Sequence, residues 1–75
     1  MSPRLPAVTA RQVVRVAQRL GFVLRRQRGS HALYRRDADG ARLVIPIHRG
    51  DIPTGTLRGI IEDMRITVDE SLALV

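Results

Sequence analysis

Two turn signals in the middle of the chain constrain its fold most strongly. Gly29-Ser30 separates residues 22–28 from residues 31–36, and the turn 37–40, Asp-Ala-Asp-Gly, precedes a third segment at residues 42–47. A two-residue connection that contains glycine is typical of a tight β-hairpin, and the Asp-Gly pair is a second strong turn signal. Connections this short join antiparallel neighbours, so the sequence predicts three strands in a meander.

A helical pattern precedes these strands. Thr9 is placed to cap a helix that starts at Ala10, and Gln12 completes a capping box. Gly21 is a typical residue just beyond a helix C-terminus. The apolar residues between these two ends recur with the helical period and predict one buried stripe: Val13, Val16, Ala17 and Leu20.

A second helical region follows the strands. After a loop at residues 48–53, Thr54 can begin a helix whose apolar residues have core spacing: Leu57, Ile60, Ile61 and Met64. Thr67 and Glu70 form another capping-box pattern. The sequence therefore also predicts a short terminal helix, which would carry Leu72, Leu74 and Val75.

The order of these elements predicts the fold class. Helix, three antiparallel strands and helix (α-β-β-β-α) give a two-layer α+β fold with the helices packed on one face of the sheet. Leu43, Ile45 and Ile47 should share the face that meets the helices, because side chains alternate along a strand. A chain of 75 residues supports one hydrophobic core, so residues 1–75 are expected to form a single domain.

The net charge of the chain indicates which class of partner it can bind. All thirteen basic residues are arginine and the net charge is +6, which attracts polyanions. Nucleic acid is favoured over a membrane surface, since no basic amphipathic helix is evident, although excess charge can also serve solubility. The chain has no cysteine, no signal-peptide pattern and no apolar run of the roughly 20 residues that would span a bilayer. These features fit a cytoplasmic protein.

Two histidines could carry acid–base chemistry. His31 opens the second strand directly after Gly29-Ser30, and Arg25, Arg26 and Arg28 precede it closely. Metal-independent RNA cleavage needs a base for the 2′-hydroxyl and positive charge around the phosphate, and this cluster offers both. If the second and third strands pair, their outer ends bring His48 towards His31, so an acid and base pair is conceivable.

Less specific interpretations stay open at this point. His31 could be an ordinary strand histidine with a satisfied hydrogen bond. Alternation puts it on the face of Leu33 and Arg35, where it could be partly buried unless the turn or a bulge re-aims its side chain. His48 could be an exposed loop residue. Catalytic zinc usually takes three protein ligands, so we expect no metal. Tyr34 could stack on a base or pack in the core.

Four short motifs resemble the HicA toxin family. They are Gly21-Phe22 after the first helix, Gly29-Ser30-His31 at the hairpin, Pro46-Ile47-His48 after the third strand and Thr56-Leu57 in the next helix. The resemblance covers residues 9–64 and is carried by the order and spacing of the motifs. Lysines that are common on surfaces of the family are arginines in this chain.

The resemblance implies a double-stranded-RNA-binding-like fold and a toxin that cleaves mRNA, and we expect no cofactor. It also implies a HicB-type antitoxin that covers the active site. The catalytic histidine of the family falls on His31, whereas His48, Ser30 and Gly29 are auxiliary candidates and Arg25, Arg26 and Arg28 are candidate RNA contacts. The alternative is a non-catalytic double-stranded-RNA-binding module, because the same fold can read the shape of an RNA duplex.

Overall fold

The structure, a computed structural model, describes residues 7–74 and confirms the predicted α+β fold. Along the chain the elements are α1 (Ala10–Arg19), β1 (Val23–Arg28), β2 (His31–Arg36), β3 (Ala41–Pro46), α2 (Thr54–Asp63) and α3 (Val68–Leu74). The predicted core role of Val75 and of the Leu72 and Leu74 side chains lies outside what is described. Within residues 7–74, no helix is long and apolar enough to cross a membrane.

The three strands form one antiparallel sheet in the order β1-β2-β3, as predicted. Both α1 and α2 contact β3. Leu43 and Ile45 are fully buried and Ile47 packs partly against the core, so the predicted alternation of β3 is confirmed. Tyr34 is also buried, which assigns it to the core. On the opposite face of the sheet, Arg42 and Val44 are exposed.

The ends of α1 follow the predicted capping chemistry. The Gln12 backbone N–H donates to Thr9 Oγ1 at 3.3 Å, and the Thr9 backbone N–H donates to Gln12 Oε1 at 2.9 Å. At the other end Gly21 has φ 89°, a conformation that glycine adopts without strain. Thr67 and Glu70 exchange equivalent bonds of 3.0 and 3.1 Å at the start of α3, which contacts both other helices.

Predicted strand boundaries differ from the structure by one residue. The first strand begins at Val23 rather than at position 22, because Phe22 turns into the core before pairing starts. The third strand covers Ala41–Pro46 rather than residues 42–47. Its last residue is a proline, which has no N–H to continue the ladder.

Arg36 connects the β2–β3 turn to the ends of two helices. Its guanidinium donates to both carboxylate oxygens of Asp39, at 2.9 and 2.8 Å. It also donates to the carbonyl oxygens of Leu20 and Met64, at 3.2 and 3.3 Å, beyond the ends of α1 and α2. The same group lies 4.5 Å from the centroid of the Phe22 ring. The sequence predicted the turn but not this network.

The charge state of Asp39 should make stability depend on pH. Hydrogen bonds from Arg36, and next from the Ala41 N–H, hold the pKa of Asp39 well below its ordinary value. A carboxyl whose folded pKa is lowered stabilises the fold above its unfolded pKa of about 3.9, and this contribution is lost as the pH falls further. We therefore expect Asp39→Asn to lower stability at pH 7 and to flatten the loss of stability below about pH 4.

Urea denaturation at pH 7 and at pH 3 checks this expectation. Asp37→Asn is the matched control, because Asp37 lies in the same turn and its ion pairs, at 3.5 and 3.7 Å, are exposed. Exposed pairs contribute little, so Asp37→Asn should keep the pH dependence of the wild type. Equal flattening in both variants would show that Asp39 is not the group responsible.

Candidate nucleic-acid interface

A β-bulge in β1 decides which side chains accompany His31. Leu24 pairs with Tyr34 and Arg26 pairs with Leu33, so Arg25 is an extra residue in β1. An extra residue reverses the alternation that follows it. Phe22 lies in the core, and strict alternation would direct Arg26 towards the same side. The bulge instead moves Arg26 and Arg28 to the open face.

The register arranges the open face in three rows across the sheet. Residues directly opposite each other in antiparallel strands have their Cβ atoms about 5 Å apart on the same face. The rows, each read from β1 to β3, are Arg28, His31 and Pro46; Arg26, Leu33 and Val44; and Val23, Arg35 and Arg42. His31 therefore lies between an arginine on one side and Pro46 on the other.

Six of these residues line an open groove, which we call the sheet groove: Arg26, Arg28, His31, Leu33, Arg42 and Val44. Arg42 and Val44 were not predicted as site residues. They alternate with the buried Leu43 and Ile45, and this alternation was the signal that could have found them. Their position beside His31 depends on the pairing register of β2 with β3.

The surroundings of His31 leave its ring accessible. His31 is exposed, and its ring has no hydrogen-bond partner within residues 7–74. The structure thus lacks the satisfied hydrogen bond that the purely structural interpretation requires. Gly29, with φ 53°, forms the tight turn before it, and Gln27 Nε2 donates to the Gly29 carbonyl oxygen at 3.2 Å.

The arginines near His31 are not equivalent. Arg25 and Arg35 form ion pairs with Asp37, at 3.5 and 3.7 Å. Arg25 does not line the sheet groove, whereas Arg26 and Arg28 do. The three groove arginines, Arg26, Arg28 and Arg42, form no ion pair with a carboxylate of the described residues. Their charge is therefore available to an anionic ligand.

The other candidate residues lie beside the groove. Ser30 is exposed in the hairpin turn, and its carbonyl oxygen accepts a hydrogen bond from the Ile47 backbone N–H. His48 follows Ile47 immediately. Its exposed ring has Nδ1 2.9 Å from the Arg49 carbonyl oxygen. The backbone pairing therefore brings the segment before His48 to the turn before His31, but His48 is not one of the groove-lining residues.

Among the residues that the structure describes, no group of three or more His, Asp or Glu side chains could hold a metal ion. The groove has a histidine and three guanidinium groups, and it has no carboxylate in its lining. This arrangement can hold a phosphate anion by charge and hydrogen bonding, and it places an imidazole next to that anion. Proton transfer beside a bound phosphate is the chemistry that the side chains allow.

Comparison with known proteins identifies the family of the chain. Residues 10–66 match the family model described as HicA toxin of bacterial toxin-antitoxin, and this match defines the class: a toxin of a toxin-antitoxin system. Because the match covers most of the chain, the chain belongs to the HicA toxin family. Membership implies an antitoxin as partner. A comparison with curated proteins finds no match.

Proposed function

We propose that this toxin is an mRNA interferase, a metal-independent endoribonuclease that cleaves mRNA and thereby inhibits translation. The observation that carries the proposal is the β1 bulge. The bulge places Arg26 and Arg28 on the same face as His31. A group that can transfer a proton therefore lies next to two arginines that form no ion pair with a carboxylate of the described residues. A module that only binds RNA has no need of an exposed imidazole at this point.

The chemistry follows from these residues. His31 accepts the proton of a ribose 2′-hydroxyl as that oxygen attacks the adjacent phosphorus atom. The bond from phosphorus to the 5′-oxygen of the next nucleotide breaks, and the leaving oxygen takes a proton from water. The products are a 2′,3′-cyclic phosphate and a 5′-hydroxyl end. Arg26 and Arg28 stabilise the extra negative charge that develops on the phosphate oxygens.

Gly29 and Ser30 shape the approach of the phosphate. Gly29 has no side chain and no atom of the described residues lies within 4 Å of where its Cβ would be, so the RNA backbone can come close to the turn. Ser30 adds an exposed hydroxyl. Arg25 is a peripheral RNA contact, because Asp37 already pairs with it. His48 is an auxiliary residue beside the turn.

A HicB-type antitoxin neutralises the toxin by covering the sheet groove. No carboxylate lies in the groove lining, and the three arginines there are unpaired among the described residues. An acidic surface on the antitoxin would complement this charge and would speed association. The toxin and its mRNA substrate meet in the bacterial cytoplasm.

The purified wild-type chain tests the proposal on an RNA oligonucleotide in the presence of a metal chelator. We expect cleavage that leaves a cyclic phosphate and a 5′-hydroxyl. A second oligonucleotide carries a single 2′-deoxy sugar on the 5′ side of the cleaved bond. Cleavage at that bond should stop, because the attacking hydroxyl is missing, while cleavage elsewhere in the same oligonucleotide continues.

Two results would contradict the proposal. Binding of RNA without any cleavage would indicate a binding module. Cleavage that the chelator abolishes, or that the 2′-deoxy sugar does not affect, would show a different mechanism. The proposal can also be tested in cells. Induction of the wild-type chain in a bacterial host, with the soluble protein level measured, should arrest growth and reduce mRNA.

A further inference from the structure

The floor of the sheet groove is aliphatic although it faces solvent. Val44 is 53% exposed, and the half-buried Leu33 lies directly opposite it in the register. Neither residue belongs to the hydrophobic core on the other face. An antiparallel sheet with one solvent face usually has polar residues there. Leu33 and Val44 instead make the centre of this face apolar. Arg26 lies in the same row as these two residues, and Arg42 lies in the neighbouring row.

A nucleobase has the chemistry that complements such a floor. Its flat face is apolar and its edge carries hydrogen-bond donors and acceptors. A base that lies against Leu33 and Val44 removes apolar surface from water, and a guanidinium at the rim can stack on the base or bind its edge. The phosphates on either side of the base remain close to arginines.

The distance along the strands fits a neighbouring nucleotide. Leu33 is two residues from His31 on the same face of β2, which is about 7 Å along the strand. One nucleotide of an extended RNA strand spans a step of this size. A base within a duplex is stacked and paired, so its face cannot reach the sheet. The geometry therefore favours a single strand.

We infer that Leu33 and Val44, with Arg42 at the rim, bind an unpaired base of the nucleotide next to the phosphate at His31. This inference rests on the proposed function and adds to it a base-binding subsite and a single-stranded substrate. Arg42 is then a substrate-binding residue, and Val44 influences which nucleotide is accepted.

Binding of single-stranded oligonucleotides with 2′-deoxy sugars tests the subsite, because such probes cannot be cleaved through a 2′-hydroxyl. One probe carries bases throughout, and a second of equal length and charge has abasic sites in its centre. The wild type should bind the first about five- to tenfold more tightly, which is the lower end of the range for contacts between a protein surface and an unpaired base. Val44→Ala should remove most of this preference. Arg42→Gln should weaken the binding of both probes.

Val23→Ala is the matched control. Val23 lies on the same open face, is 58% exposed and does not line the groove, so its truncation should leave the preference unchanged. A preference that survives in Val44→Ala, or that Val23→Ala reduces equally, would overturn the inference. So would binding of a duplex as tight as that of the single strand. The binding measurements do not depend on cleavage, because the probes cannot be cleaved through a 2′-hydroxyl. A wild type that cleaves no RNA would therefore contradict only the proposed function.

Discussion

Replacing His31 by alanine is expected to lower the rate of RNA cleavage by a factor of about 10² to 10⁴, the usual contribution of a general acid or base. RNA binding should change little, because Arg26, Arg28 and Arg42 keep their positions in the sheet groove. His31 is exposed and its side chain forms no hydrogen bond within residues 7–74, so the fold should also be unaffected. Rate constants at saturating RNA, together with RNA affinity, measure the two effects separately.

His31→Gln is the second variant in this experiment. It keeps a polar side chain of similar size but cannot accept a proton near neutral pH, so it should be as inactive as His31→Ala. In a bacterial host, both variants should fail to arrest growth at the soluble protein level at which the wild type arrests it. Cleavage by either variant at the rate of the wild type would exclude His31 as the base. The same assay on His48→Ala and Ser30→Ala measures what the auxiliary residues contribute.

Replacing Phe22 by alanine should cost about 3–5 kcal/mol of unfolding free energy, the range for large core aromatics. Phe22 is only 2% exposed and is among the largest fully buried side chains. Its ring also lies 4.5 Å beneath the guanidinium of Arg36. A chain of 75 residues has a total stability of about 4–11 kcal/mol, so the variant should lose a large part of it. Urea denaturation measures the loss.

Val23→Ala is again the control, because it changes the adjacent residue. Val23 is 58% exposed, and its truncation should alter stability by no more than about 0.5 kcal/mol. Phe22→Leu, which retains more of the buried volume, should lie between the control and Phe22→Ala. If Val23→Ala lost as much stability as Phe22→Ala, the assignment of these two residues to opposite faces would be wrong.

The candidate site was predictable only in part. His31 stood out because a histidine directly after Gly29-Ser30 is placed for ligand contact, and the family motif fell on it. Arg26 and Arg28 were predicted because they lie close to His31 in the sequence. Strict alternation from Phe22, however, would have put them on the opposite face of the sheet from His31. The bulge at Arg25 puts them on the same face as His31, and no residue in this segment predicted a bulge. Arg42 was missed because only the pairing of β2 with β3 brings it beside the other groove residues, and the sequence did not specify that register.

The sequence by itself determined the elements and their order. Turn chemistry at positions 29–30 and 37–40 defined three antiparallel strands, and reciprocal capping at Thr9 and Thr67 defined the starts of α1 and α3. These features depend on neighbours within four residues, which a sequence displays directly.

Only the tertiary structure decided which side chains of different strands lie next to each other on one face and which charges are paired. The bulge brought Arg26 and Arg28 to His31, Asp37 removed Arg25 from the set of unpaired arginines, and Arg36 joined the turn to both helix ends. These relations link residues far apart in the chain. They depend on strand register, and a shift of one residue would move every side chain of a strand to the other face.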